Sequence, residues 1–133
     1  MRIGINNKTR SKIDLALIKK VAERFLKVYK KENYEVSIAF VGGRKMRELN
    51  KTYRKKDKVT DVLAFSGDGQ DLGEIIINYA QIKRQARKFG NSARQELVFI
   101  LVHGLLHLSG YDDSDEKGKK EMEGLSRTFI GRL

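Results

Sequence analysis

Hydrophobic positions along the chain switch between two spacings, and each switch marks an element. Ile3 and Ile5 lie two apart, the period of a strand covered on one face. Leu17, Ile18, Val21, Phe25, Val28 and Tyr29 then recur at three- and four-residue steps, as on a helix buried along one side. Ser11, with Asp14 three residues later, reads as a capping box that opens this helix. Tyr34, Val36, Ile38 and Phe40 alternate again as a strand that ends at Gly42-Gly43. Met46, Leu49 and Tyr53 fit a short helix, and residues 61–65 and 72–77 fit two strands about a glycine-containing turn. Asn78 can cap a basic helix that stops at Gly90. Ser92 with Gln95 is a second capping box, opening an apolar helix that runs to about Leu108 with Gly110 as its stop. Ser114 can cap a last helix, with Met122, Leu125 and Phe129 turned inward.

Helices interleaved with strands in this way predict an α/β (α+β) fold, with a mixed sheet of about four strands and about five helices. Strand order is not encoded in the periodicity. At 133 residues, with no proline linker, repeat or low-complexity tract, the chain is expected to form a single domain over residues 1–133.

Composition narrows the class. There is no cysteine, which excludes disulfides, thiolate metal sites and cysteine nucleophiles. The longest unbroken apolar run, residues 97–102, is too short to cross a bilayer, and the opening residues lack a signal core. A cytoplasmic protein with no membrane partner is therefore expected, as a monomer or weak oligomer. Lys and Arg number 28 against 17 Asp and Glu, a formal net charge of +11, which points to a polyanionic partner. The excess is clustered: Lys51, Arg54, Lys55, Lys56 and Lys58 in one segment, Lys83, Arg84, Arg87 and Lys88 in another. Neither segment has the long apolar face of a membrane-surface helix, so nucleic acid is the better fit.

The candidate chemistry lies in HGLLHLSGYDD, residues 103–113, which holds the chain's two histidines. His103 and His107 are four apart, one helical turn, so both imidazoles can reach one ion at ~2.0–2.1 Å. Gly110 turns the chain just past the helix end, and Asp113 can swing back as a third ligand. Asp112 is a rival for that place, or can cap the next helix or orient a histidine. Three protein ligands leave a position open, as in a catalytic zinc site. Two histidines at this spacing also occur as ordinary core residues, but unpaired imidazoles among Leu101, Val102, Leu105, Leu106 and Leu108 would be costly. The spacing overlaps the metzincin peptidase pattern, H-E-x-x-H-x-x-G-x-x-H; here position 104 is Gly, so the glutamate that activates water is missing and a peptidase ranks low. In residues 49–66, LNKTYRKKDKVTDVLAFS, Arg54 is a candidate catalytic group because its guanidinium forks onto phosphate oxygens. Lys55, Lys56 and Lys58 beside it are candidate RNA contacts. Asp61 can order this loop, stand behind the metal ligands or cap a turn, and Tyr111 reads as a core aromatic.

These segments resemble the YbeY endoribonuclease family. HGLLHLSGYDD resembles its H-G-x-L-H-L-x-G-Y-D-H signature, and residues 49–66 resemble its L-N-x-x-Y-R-x-x-D-x-P-T-D-V-L-S-F-P segment. GEIII at 73–77 and EMEGL at 121–125 are similar to its G-D-I-x-I strand and C-terminal helix. The resemblance runs from about Leu49 to the C-terminus. It implies a small α/β fold with a zinc site at the end of the motif helix. It also implies cleavage of single-stranded RNA, with roles in ribosomal RNA maturation and ribosome quality control on the small subunit. By position, the implied metal ligands are His103, His107 and Asp113, and the family's required arginine is Arg54. Three departures stand out. The family's third histidine is Asp113, a harder, anionic ligand that can shift preference to another divalent metal. Val59 stands for its proline, and Ala64-Phe65-Ser66 for S-F-P, which loosens the loop that presents Arg54. The competing readings are an RNA-binding ribosome-assembly factor with a structural metal, and a metal hydrolase of another substrate.

Overall fold

The computed structural model describes residues 2–55 and 60–133. In chain order the elements are β1 (Arg2–Asn7), α1 (Leu15–Val28), β2 (Glu35–Val41), α2 (Gly43–Arg54), β3 (Val62–Ser66), β4 (Asp71–Asn78), α3 (Tyr79–Phe89), α4 (Ala93–Leu108) and α5 (Glu116–Gly131). The strands form one mixed sheet in the order β1-β2-β4-β3. β1, β2 and β4 run parallel, with Ile5 opposite Ile38 and Ile38 opposite Ile75. β3 closes one edge antiparallel to β4, with Leu63 opposite Ile76. The expected α+β class, four strands and five helices are all present.

The period-2 pattern divides the sheet's apolar residues between its two faces. Val36, Ile38, Phe40, Ile75 and Ile77 join α1, α3, α4 and α5 in the main core. Val41, Leu63 and Ile76 point the other way and pack under Met46 of α2. β4 is thus apolar on successive residues because helices cover both its faces. α4 is buried almost all round, which is why its sequence is apolar on nearly every side. It rests on the sheet and is flanked by α1, α3 and α5.

Gly104 marks the closest approach of α4 to the sheet. A Cβ there would sit 3.2 Å from Ile75 Cδ1. The position where a peptidase would carry its glutamate therefore faces packed side chains.

Two helix starts differ from expectation. Asp14, not Ser11, caps α1: its carboxylate accepts the Leu17 N–H at 3.0 Å. Ser11 belongs to a turn tied by Asn7 and Thr9, which keeps it out of the helix start. Asp115, not Ser114, caps α5 by accepting the Gly118 N–H at 2.7 Å. Ser114 instead donates its hydroxyl and N–H to Asp112. The Asn78 cap of α3, the Ser92–Gln95 box of α4 and the stop at Gly90 are as expected. Val28, expected on the inward face of α1, is 53% exposed because it sits at the helix's last turn.

Candidate metal centre

α4 carries the histidine pair to the end of the buried core. The Ser92 hydroxyl accepts the Gln95 N–H at 3.0 Å, and the Gln95 carboxamide accepts the Ser92 N–H at 2.9 Å. This fixes where α4 begins, and so which residues face the sheet. Leu101, Val102, Leu105 and Leu106 are fully buried, and His103 and His107 share the remaining, half-buried stripe. Their rings lie 4.9 Å apart, centroid to centroid.

The chain then reverses. Gly110, at φ +101°, donates its N–H to the His107 carbonyl, and Tyr111 donates to the Leu106 carbonyl. Only glycine holds such a φ without strain. The Tyr111 ring packs edge-on against Tyr29, the residue that caps the end of α1, a core contact as expected. Two residues later Asp113 faces both histidines: Oδ2 lies 3.1 Å from His103 Nε2, and Oδ1 lies 3.3 Å from His107 Nε2. Asp112 is exposed and tied to Ser114, so it does not join the cluster. The Ser114 hydroxyl and N–H that it accepts hold its carboxyl below the usual range.

The donor atoms of His103, His107 and Asp113 all lie within 4.8 Å of one another, as a group that could hold a metal ion. Ligands ~2.0–2.2 Å from a tetrahedral ion stand about 3.4 Å apart, which the two histidine–aspartate separations match. Burial lowers the His103 pKa from its ordinary 6.5, and the neighbouring His107 lowers it further; Asp113 and Asp61 oppose this. The neutral imidazole, with its lone pair free, is the form that binds metal. The cluster's side chains are 24%, 34% and 34% exposed, leaving one side open to a substrate.

A family model described as Endoribonuclease YbeY matches residues 4–133. The chain belongs to the endoribonuclease YbeY family. It is similar to Endoribonuclease YbeY of Bacillus cereus (strain B4264), 37% identical over 131 residues, covering 87% of this chain and 84% of that protein. Endoribonuclease YbeY of Aquifex aeolicus is 44% identical over 109 residues, covering 78% of this chain and 71% of its own. The solution structure of TM1509 from Thermotoga maritima matches with a TM-score of 0.70 and 30% identity, over 96% of this chain and 86% of that one.

Within this YbeY-family fold the basic segment is described only as far as Lys55. Arg54 is exposed at the last turn of α2, the helix that packs through Met46 on the face of the sheet away from α4. Among the described residues it makes no ion pair or hydrogen bond with His103, His107 or Asp113. Lys55, exposed and left-handed at φ 56°, ends α2 by donating its N–H to the Asn50 carbonyl. Lys56 and Lys58, also expected to touch RNA, lie outside the described residues. No helix among the described residues is long and apolar enough to cross a membrane.

Three features near the cluster escaped the sequence reading. Gln85 of α3 donates to both Asp61 (3.1 Å) and Glu96 (3.3 Å), joining α3, α4 and the residue before β3. Asp61, which the sequence left between several roles, thus belongs to a carboxylate network whose charge reaches His103. Gly118 in the first turn of α5 presses on the backbone of Asp112, where an added Cβ would fall 2.0 Å from the carbonyl oxygen. Phe99 stands one turn before His103 with its ring 6.4 Å away and nearly parallel. A buried acid next to residues 97–102 was the one available sequence signal for Glu96; Gln85 and Gly118 carried none.

Proposed function

We propose that the chain is a zinc-dependent, single-strand-specific endoribonuclease acting in ribosomal RNA maturation and ribosome quality control. As a member of the YbeY family it is an endoribonuclease, a hydrolase whose substrate is RNA. The observation that carries the metal reading is Asp113 turning one carboxylate oxygen to each histidine Nε2. His103, His107 and Asp113 are the proposed ligands, and residues 1–133 the proposed catalytic domain. A divalent ion held by them would supply Lewis acidity to a phosphodiester.

The protein's own groups prepare for that role. Burial keeps His103 neutral, and the Asp113 carboxylate supplies an anion to balance the charge of a cation. Two nitrogens and a carboxylate suit zinc, while the anionic oxygen also admits other divalent metals. Arg54 is the proposed catalytic cation: its fork can brace the phosphate and offset charge that builds up there. Lys55, Lys56 and Lys58 are proposed to follow the backbone of the RNA. The small ribosomal subunit as partner, and the cytoplasm as location, belong to the same proposal and rest on the family resemblance.

The test is cleavage of a labelled single-stranded RNA by pure protein, with His103→Ala and Arg54→Ala alongside. Each substitution is expected to lower the rate at least a hundredfold, roughly the worth of one lost charge-stabilising donor. Equal cleavage by all three proteins would defeat the proposal.

A further inference from the structure

α1, the N-terminal half of α4 and the end of α5 enclose a groove of ≈ 1080 Å³. Its walls carry Lys20, Arg24 and Lys27 from α1, Arg94 from α4, and Arg127 and Arg132 from the end of α5. Two acids oppose them. Glu96 is buried and accepts from Gln85, while Glu23 is only half-buried. Arg94 is partly spent on Asp14, 3.7 Å away at the rim. The remaining balance is positive.

Lys20, Arg24 and Lys27 are all exposed and recur at four- and three-residue steps, so they form one stripe along α1. At 1.5 Å per residue that stripe is about 10 Å long. Each strand of a stacked duplex carries a charge about every 3.4 Å of axis and an extended strand fewer, so the stripe faces at most about three phosphates. The groove lies at the upper limit of the usual 300–1,000 Å³ of small-molecule sites and is walled by exposed cations. These features suit a polyanionic strand better than a small ligand.

Phe99 joins the groove to the metal cluster. It lines the groove while packing half-buried against the core, and its ring lies 6.4 Å from the His103 ring at 25° to it. Aromatic faces of this kind bind bases regardless of sequence.

The geometry points to this groove as the seat of the RNA strand that flanks the cut, with phosphates on the α1 stripe and Arg127 and a base stacked on Phe99. The inference rests on the RNA-hydrolase reading and extends it to a second basic surface, beside α1. It makes the substrate an extended strand, held on the side of the cluster towards the start of α4.

Binding of a labelled single-stranded RNA, long enough to span groove and cluster, tests this across a salt series. The variants are Arg24→Glu with Arg127→Glu, both exposed, and separately Phe99→Leu. Metal content and thermal unfolding report that each variant remains folded and loaded. The charge pair is expected to weaken binding more than tenfold and to flatten the log Kd against log salt slope by about 1.4, two phosphate contacts at ~0.7 each. Phe99→Leu is expected to weaken binding roughly tenfold at an unchanged slope. Lys8→Glu with Arg10→Glu, the same charge change outside the groove, is expected to do less than the groove pair. Wild-type affinity and slope in metal-loaded groove variants would overturn the inference and leave the hydrolase reading standing. An equal loss in the Lys8 and Arg10 pair would also overturn it, by showing a diffuse charge effect. Wild-type protein that neither binds nor cuts RNA would bring down the hydrolase reading and the groove with it.

Discussion

Asp113, His103 and His107 meet because each is placed by a separate local device, so each device can be tested alone. Burial disfavours protonated His103, so the unfolded chain takes up a proton more readily than the folded one just below pH 6.5. Stability of the metal-free protein should therefore be full above that value and fall as pH drops through 6.5 towards the lowered folded pKa. Urea unfolding across this window should show the decline, and His103→Gln should flatten it; a decline unchanged in that variant would remove its cause. Gly118 acts at second hand. Replacing it with Ala drives a Cβ into the Asp112 carbonyl, so the loop that holds Asp113 must shift. Metal affinity should fall roughly 10–100-fold, the usual cost of disturbing a ligand's support, with helical content retained. The histidine pair and its carboxylate were legible in the sequence because the signal is local: one turn, one glycine bend, one acid. Spacing alone left Asp112 as a rival and only the family resemblance favoured Asp113, since the choice depends on Ser114 holding Asp112 aside. Gln85 was invisible for a different reason: its link to Asp61 and Glu96 exists only once α3 and α4 have packed beside the start of β3.

α4 is the element on which the site depends, and its start is set by side chains rather than by packing alone. Ser92→Ala removes an acceptor from the first turn and should cost about 1 kcal/mol, a few degrees in Tm. Metal affinity should stay within about twofold, because His103 and His107 lie at least two turns further on. A large loss of metal in that variant would mean that the register of α4, not only its stability, depends on the cap. Elements with a clean period, such as β2, α3 and α4, were readable to within a residue or two. The starts of α1 and α5 were misread because several polar side chains stood close together, and only the folded turn selects Asp14 and Asp115 among them. Strand order was beyond the pattern altogether: β4 inserts between β2 and β3 through contacts far apart in sequence.

At the scale of the molecule, the proposed ion ties the end of α4 to the loop entering α5. A ligand that binds only the folded chain stabilises it by RT ln(1 + [L]/Kd), ~2.7 kcal/mol at a hundredfold excess over Kd. Supplying zinc to chelator-treated protein should therefore raise Tm, with a rise that grows with metal concentration, and His107→Ala should abolish the rise. The basic character read from composition falls at the end of α2, along α3 and in the groove beside α1. The sequence made the first two visible as runs of charge. The groove is assembled from residues more than a hundred positions apart, such as Lys20 and Arg132, which only the fold brings together.

The most direct measurement is the metal content of the purified protein after zinc loading and removal of excess, compared across Asp113→Ala and Asp112→Ala. Wild-type protein and Asp112→Ala should each retain about one divalent ion per chain, and Asp113→Ala should retain little or none. Full retention in Asp113→Ala, loss in Asp112→Ala instead, or an empty wild-type chain would contradict the site described here.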